Sequence, residues 1–256
     1  MNTETNLSNF KEENKAPVLL NLNNLLLKLL SVIAGSGAGG AILLAFLFLG
    51  SAFFQQSLFD QNSEINIHPF FILLIIFTIF IALEIANLIG AWLWMLTDRE
   101  HYPRIFSTIG QIFSYNLLLL IFFLPLYFLT NFFGLIMLGG AAFAHIVIST
   151  IGSFIILESM NNNQYVLVTL YGVSIGSIGA LGICIWILNI LPQLLVFSAV
   201  PITWFCLGFS LILVKYGYYW LYYFWGTDFL NIETQFGGDY SSEENDKDED
   251  EENEKS

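Results

Sequence analysis

The sequence predicts an all-α, polytopic transmembrane helical bundle, and three observations support this prediction. Hydrophobic residues make up 56% of the chain and charged residues only 11%, whereas a soluble domain carries about 25% charged residues. Long apolar stretches follow one another from residue 32 to residue 215, and the mean hydropathy is +0.68. Charge is concentrated at the carboxyl end, where residues 239–256 hold ten acidic residues and two lysines. This distribution is typical of a membrane bundle followed by a solvated acidic tail.

Three regions are predicted along the chain. Residues 1–17 form a polar N-terminal tail, and residues 239–256 form a tail that stays disordered because its like charges repel one another. Residues 18–238 hold an amphipathic helix and the transmembrane bundle. Within Val18–Ile33, polar residues recur at helical spacing: Asn21, Asn24, Lys28 and Ser31. This helix either lies in the headgroup plane or covers the bundle, and glycines at 35–40 allow a bend before the first span.

Six segments are long and apolar enough to cross a hydrocarbon core of ~30 Å, which needs ~20 helical residues. They are Val32–Phe54, Phe70–Leu96, Ser107–Leu129, Phe133–Ile156, Tyr165–Leu188 and Leu194–Lys215. The boundary between the third and fourth depends on a short polar interruption near Thr130. One long helix kinked at Pro125, giving five spans, is the alternative.

The basic residues predict the orientation, because Lys and Arg in short loops stay on the cytoplasmic side. All eight lie before span one, between spans two and three, or at and beyond the end of span six. Six spans therefore put both termini in the cytoplasm. The aromatic residues that close span two and those that follow Lys215 suit anchoring at headgroup level, with Lys215 extended outward along its own stem.

Two ionisable residues lie near the centres of predicted spans, where the cost of burying charge in lipid makes a functional role the default hypothesis. Glu84 is central in span two and His145 in span four, and Asn87 lies one turn after Glu84. If these spans are neighbours, Glu84 and His145 form a pair that takes up and releases protons. This interpretation makes the protein a small transporter or channel. The alternative is a neutral packing role for Glu84 and an interhelical hydrogen bond for His145.

Small residues four apart predict close contacts between helices. Gly35 and Gly39 have this spacing in span one, and Gly172 and Gly176 have it in span five. Tight packing inside the bundle is the default interpretation, and a homodimer face is the alternative.

The segment from Asp98 to Arg104 is the densest polar cluster between spans. Within it, Arg99, His101 and Arg104 are candidates for contact with lipid headgroups or a protein partner. No Walker A, His-Glu-x-x-His or Cys-x-x-Cys motif occurs, so no catalytic, cofactor-binding or metal-binding residue is predicted. Eight basic residues against 21 acidic ones exclude nucleic-acid binding as a main activity, because that affinity needs many cationic contacts.

From Glu84 to Leu129 the layout resembles the Yip family, the Ypt/Rab-interacting multi-pass membrane proteins. An apolar helix ends in a short polar loop, which leads through Phe106–Ile109 and Ser114–Tyr115 into a span containing Pro125. The stretch Ile183–Leu191 is similar to a later span of that domain. The resemblance implies a non-enzymatic role in membrane organisation, trafficking or partner recruitment, and it carries over no active-site residue.

Overall fold

The computed structural model describes residues 22–54, 69–99, 102–130, 135–161, 166–190 and 192–225. These ranges contain six α-helices and no strand: α1 Leu22–Phe54, α2 Pro69–Leu96, α3 Ile105–Thr130, α4 Leu135–Asn161, α5 Val166–Ile190 and α6 Pro192–Trp225. Each helix is long and apolar enough to cross a membrane, so the predicted all-helical, multi-pass architecture is confirmed. Some predictions concern residues outside these ranges. They are the polar N-terminal tail, the start of the amphipathic segment at residues 18–21, His101, and the disorder of the acidic tail.

Helices α3 and α4 are separate antiparallel neighbours, so six spans are correct and one helix kinked at Pro125 is wrong. The Tyr115 hydroxyl donates to the backbone carbonyl of Ile148 over 3.0 Å. Further along, the Tyr127 hydroxyl lies 2.9 Å from Nδ1 of His145. Residue numbers of the contacting pairs thus increase along α3 while they decrease along α4, which is the pattern of an antiparallel helical hairpin. Pro125 lies inside α3 and does not interrupt it.

Helix α1 joins the predicted amphipathic segment and the first span into one continuous helix. Its polar stripe of Asn24, Lys28 and Ser31 is buried in the bundle, while Leu27 and Leu30 are exposed. The headgroup-plane alternative is therefore wrong, and α1 covers the bundle with its polar stripe inward. In lipid, leucine is stable on the outside, whereas polar side chains need partners within the protein.

Small residues let α1 approach α2 and let α5 approach α6. A Cβ atom added to Gly39 would lie 2.9 Å from the carbonyl oxygen of Ala82, and one added to Gly176 would lie 2.6 Å from Cα of Leu207. Gly35 and Gly172 are in equally close contact with the neighbouring helices. The four predicted glycines therefore all lie at contacts inside the bundle, which is the default interpretation of their spacing.

Helix α6 continues past its predicted end at Lys215 and brings part of the aromatic segment inside. Lys215 is buried, as are Tyr218 and Tyr219, whereas Trp220 is exposed. The prediction that Lys215 extends outward to the headgroups is wrong. The reason is a buried acidic partner on α4, Glu158.

Candidate functional site

Six buried residues, here called the charge cluster, meet at one end of the bundle. They come from α1, α2, the α2–α3 loop, α4 and α6: Lys28, Trp94, Asp98, Tyr102, Glu158 and Lys215. None of them is more than 7% exposed. The cluster joins the beginning of α1 to the final third of α6. Both ends of the described bundle therefore lie at the same side, as an even number of spans requires.

Glu158 is the main acceptor of the cluster. Its Oε1 atom accepts a hydrogen bond from Nζ of Lys215 and another from the Tyr102 hydroxyl at 2.7 Å. The Tyr102 oxygen in turn accepts from the indole N–H of Trp94 at 3.2 Å and lies 3.4 Å from the Lys215 ammonium. The two hydrogen bonds to Glu158 are charge-assisted, and bonds of this kind are about twice as strong as neutral ones. Together with the bond from Trp94, they connect α2, the α2–α3 loop, α4 and α6.

Lys28 and Asp98 form the second ion pair of the cluster. Nζ of Lys28 lies 3.7 Å from Oδ2 of Asp98. The same ammonium is 4.9 Å from the centre of the Trp94 ring and 5.4 Å from that of Tyr102. The Lys215 ammonium lies 5.9 Å from the centre of the Trp94 ring. Both lysines of the cluster therefore lie over one indole ring, whose electron-rich face attracts cations. Two lysines and two carboxylates make the cluster neutral, which suits its burial.

Tyr102 keeps its proton in this environment. Burial, followed by the negative charge of Glu158, raises the pKa of the Tyr102 phenol well above its ordinary value. Both effects disfavour the phenolate. The hydroxyl therefore remains a donor to Glu158 across the physiological pH range.

The α2–α3 loop is anchored on its inner side and exposed on its outer side. Asp98 and Tyr102 point into the charge cluster, whereas Arg99 and Arg104 are exposed. The backbone N–H of Arg104 also donates to Oδ1 of Asn161 at the end of α4, over 3.2 Å. Two guanidinium groups are thus presented by a segment whose backbone is tied to the bundle. Of the three residues predicted for a lipid or partner contact, the structure describes these two.

A second polar group, here called the midplane cluster, lies between α2, α3 and α4. Its members are Glu84, Asn87, Asn116, Ser149 and Ser153. Nδ2 of Asn87 donates to Oγ of Ser149 at 2.9 Å, and that hydroxyl donates to Oδ1 of Asn116 at 2.6 Å. Nδ2 of Asn116 lies 3.4 Å from Oγ of Ser153. These hydrogen bonds hold three helices together within the membrane.

Glu84 and His145 do not form the direct pair considered from the sequence. Among the described residues, neither carboxyl oxygen of Glu84 has a hydrogen bond of normal geometry, although the amide of Asn116 faces it. His145 stacks on Phe123 at 4.9 Å between ring centres and uses Nδ1 to bond Tyr127, and its Nε2 has no hydrogen-bond partner among the described residues. The structure brings Glu84 to Asn116 and places His145 against aromatic rings.

The charge cluster was not predicted, although the sequence contains a signal for it. Between Arg104 and Lys215, Glu158 is the only residue with a full charge. Both Glu158 and Lys215 lie near the ends of spans that finish on the same side. One acid and one base at the same depth on different spans favour an ion pair, because each compensates the other's charge in lipid.

The helices and their two polar clusters define a multi-pass integral membrane protein. Within the described ranges, no group of His, Cys, Asp and Glu side chains is arranged to hold a metal ion. In comparisons with known proteins, no family model matches the chain, and no curated protein or solved structure has significant similarity to it. The functional interpretation therefore depends on the chain's own residues.

Proposed function

We propose that this protein is a non-enzymatic membrane scaffold, Yip-like in role, that recruits a protein partner at its cytoplasmic face. The observation that best supports this role is the anchored α2–α3 loop. Its inner residues, Asp98 and Tyr102, are bound in the charge cluster, while Arg99 and Arg104 face outward. A surface that is already ordered loses less conformational entropy on binding than a mobile one.

The chemistry of the loop indicates the kind of partner. Guanidinium groups bind carboxylates through two parallel hydrogen bonds, a geometry that lysine does not offer. An acidic segment of a cytoplasmic protein is therefore the partner we propose for Arg99 and Arg104. The distribution of Lys and Arg along the sequence supports the cytoplasmic location of this loop.

Site-specific photocrosslinking in native membranes tests the proposal. A photoreactive amino acid at position 99 or 104 is expected to give a discrete protein adduct, which mass spectrometry identifies. The matched control carries the same group at Ile178, an exposed apolar position on α5, where only lipid adducts are expected. Lipid adducts alone at positions 99 and 104 would contradict partner recruitment and favour headgroup binding.

The orientation is tested separately with Arg99→Cys and a membrane-impermeant maleimide. The native Cys184 and Cys206 lie within the spanning helices, so their background reaction should be low. We expect Arg99→Cys to react with the maleimide only when the cytoplasmic face is accessible to it, as in permeabilised cells. Reaction in intact cells would mean that the loop is on the opposite side.

A further inference from the structure

Within the described part of the chain, three buried oxygen atoms of the midplane cluster accept no hydrogen bond of normal geometry. They are the two carboxyl oxygens of Glu84 and Oδ1 of Asn87. Glu84 is 6% exposed and Asn87 is completely buried. Asn87 follows Glu84 by three residues on one helix face, about 4.5 Å further along the axis. The unsatisfied acceptors thus belong to neighbouring side chains.

The donors around these oxygens are largely occupied. Asn87 donates to Ser149, the Ser149 hydroxyl donates to Asn116, and the Ser153 hydroxyl donates to the backbone carbonyl of Ser149. The amide nitrogen of Asn116 donates to Ser153, and the same amide group also faces Glu84. Acceptors therefore outnumber donors, and each buried acceptor left unpaired costs about 1–3 kcal/mol. A positively charged ligand would meet this demand.

Among the residues that the structure describes, no cationic side chain contacts Glu84 to balance an ionised carboxyl. The described ionisable groups of the packed helices near this level are Tyr115 and Tyr127 on α3 and His145 on α4. Cys206 of α6 lines a groove with residues of α1 and α5 instead. The first acid of the charge cluster along the chain after Glu84 is Asp98, which follows it by about 14 residues, roughly 21 Å along the helix axis. An uncompensated buried carboxylate costs several kcal/mol.

We infer that Glu84, with Asn87, forms an intramembrane binding site for one small monovalent cation, a proton or a sodium ion. The cation neutralises the carboxylate and becomes the partner that its oxygens lack. Carboxylate and amide oxygens are suitable ligands for hard cations of this kind. The inference is independent of the scaffold proposal, because its test does not involve the α2–α3 loop.

Reaction with dicyclohexylcarbodiimide, which modifies protonated carboxyl groups in apolar surroundings, tests the site in the full-length protein. Mass spectrometry locates the adduct in the wild-type chain, so the test does not depend on a folded variant. We expect modification of Glu84, its loss in Glu84→Gln, and no modification of Glu158, which is ion-paired to Lys215. Above its midpoint, modification should fall about tenfold per pH unit, as for one exchanging proton.

Sodium distinguishes the two cations. At constant pH and ionic strength, modification that is at least fivefold slower in sodium chloride than in choline chloride identifies sodium, and equal rates identify a proton. Equal modification at pH 5 and pH 9 in both salts would overturn the inference, because Glu84 would then be a permanently protonated packing group. The absence of any Glu84 adduct across this pH range would overturn it as well.

Discussion

The ion pair between Glu158 and Lys215 allows a stability effect to be worked out from its surroundings. Lys215→Met leaves the Glu158 carboxylate with the Tyr102 hydroxyl as its remaining donor in the charge cluster. Removing one partner of a buried pair costs about 3–5 kcal/mol, because the remaining charge is uncompensated. The two side chains are only 6% and 1% exposed, so solvent screens this loss little. We expect destabilisation near the lower limit, about 3 kcal/mol, since the hydrogen bond from Tyr102 survives.

The double variant Lys215→Met with Glu158→Gln separates charge from packing. Both charges are then absent, and we expect the double variant to recover about 1–3 kcal/mol relative to the sum of the single changes. Arg99→Met is the matched control because it removes a charge from an exposed position. Its effect should stay within about 0.5 kcal/mol.

Reversible unfolding in mixed detergent micelles, followed by tryptophan fluorescence, measures these free energies. Trp94 lies inside the charge cluster and reports its opening. If Lys215→Met were no less stable than Arg99→Met, or if the single losses added without coupling, the buried-pair reasoning would be refuted.

Two further predictions concern packing and pH. Gly176→Leu forces a side chain against the backbone at Leu207, whereas the same change at Gly179 meets open space. We expect Gly176→Leu to cost more than about 3 kcal/mol of stability or to prevent folding, and Gly179→Leu to leave thermal stability in detergent nearly unchanged. Equal effects of the two changes would argue against an internal contact at Gly176. The pKa of Tyr102 is raised in the folded protein, so its stabilising contribution is complete below the unfolded value of about 10 and is lost as the pH rises above it. Tyr102→Phe should therefore be less stable than wild type at pH 8, by about 1–3 kcal/mol for the lost bond to Glu158. It should also lose less stability than wild type between pH 8 and pH 11. An identical loss of stability in both proteins over this range would be evidence against a stabilising role for the Tyr102 hydroxyl.

The apolar stretches determined most of the architecture without help from tertiary contacts. Backbone N–H and C=O groups have no water partner in the hydrocarbon core, so a sufficiently long apolar segment satisfies them by forming a helix. The second span, for example, was predicted as Phe70–Leu96 and is Pro69–Leu96 in the structure. Glycine spacing also indicated where α5 could approach a neighbour closely, since the absence of a Cβ atom is a local property.

The tertiary structure decided which polar residues meet. Glu158 and Lys215 are 57 residues apart in sequence, and their contact depends on which helices are neighbours and how each is rotated about its axis. The rotation of α2 about its axis turns Glu84 toward Asn116, and the rotation of α1 turns its polar stripe inward to the charge cluster. Hydropathy is a one-dimensional property that determines whether a segment enters the membrane. Pairing of buried charges depends on three-dimensional packing, in which a rotation of one helix by a quarter turn would expose Lys28 to lipid.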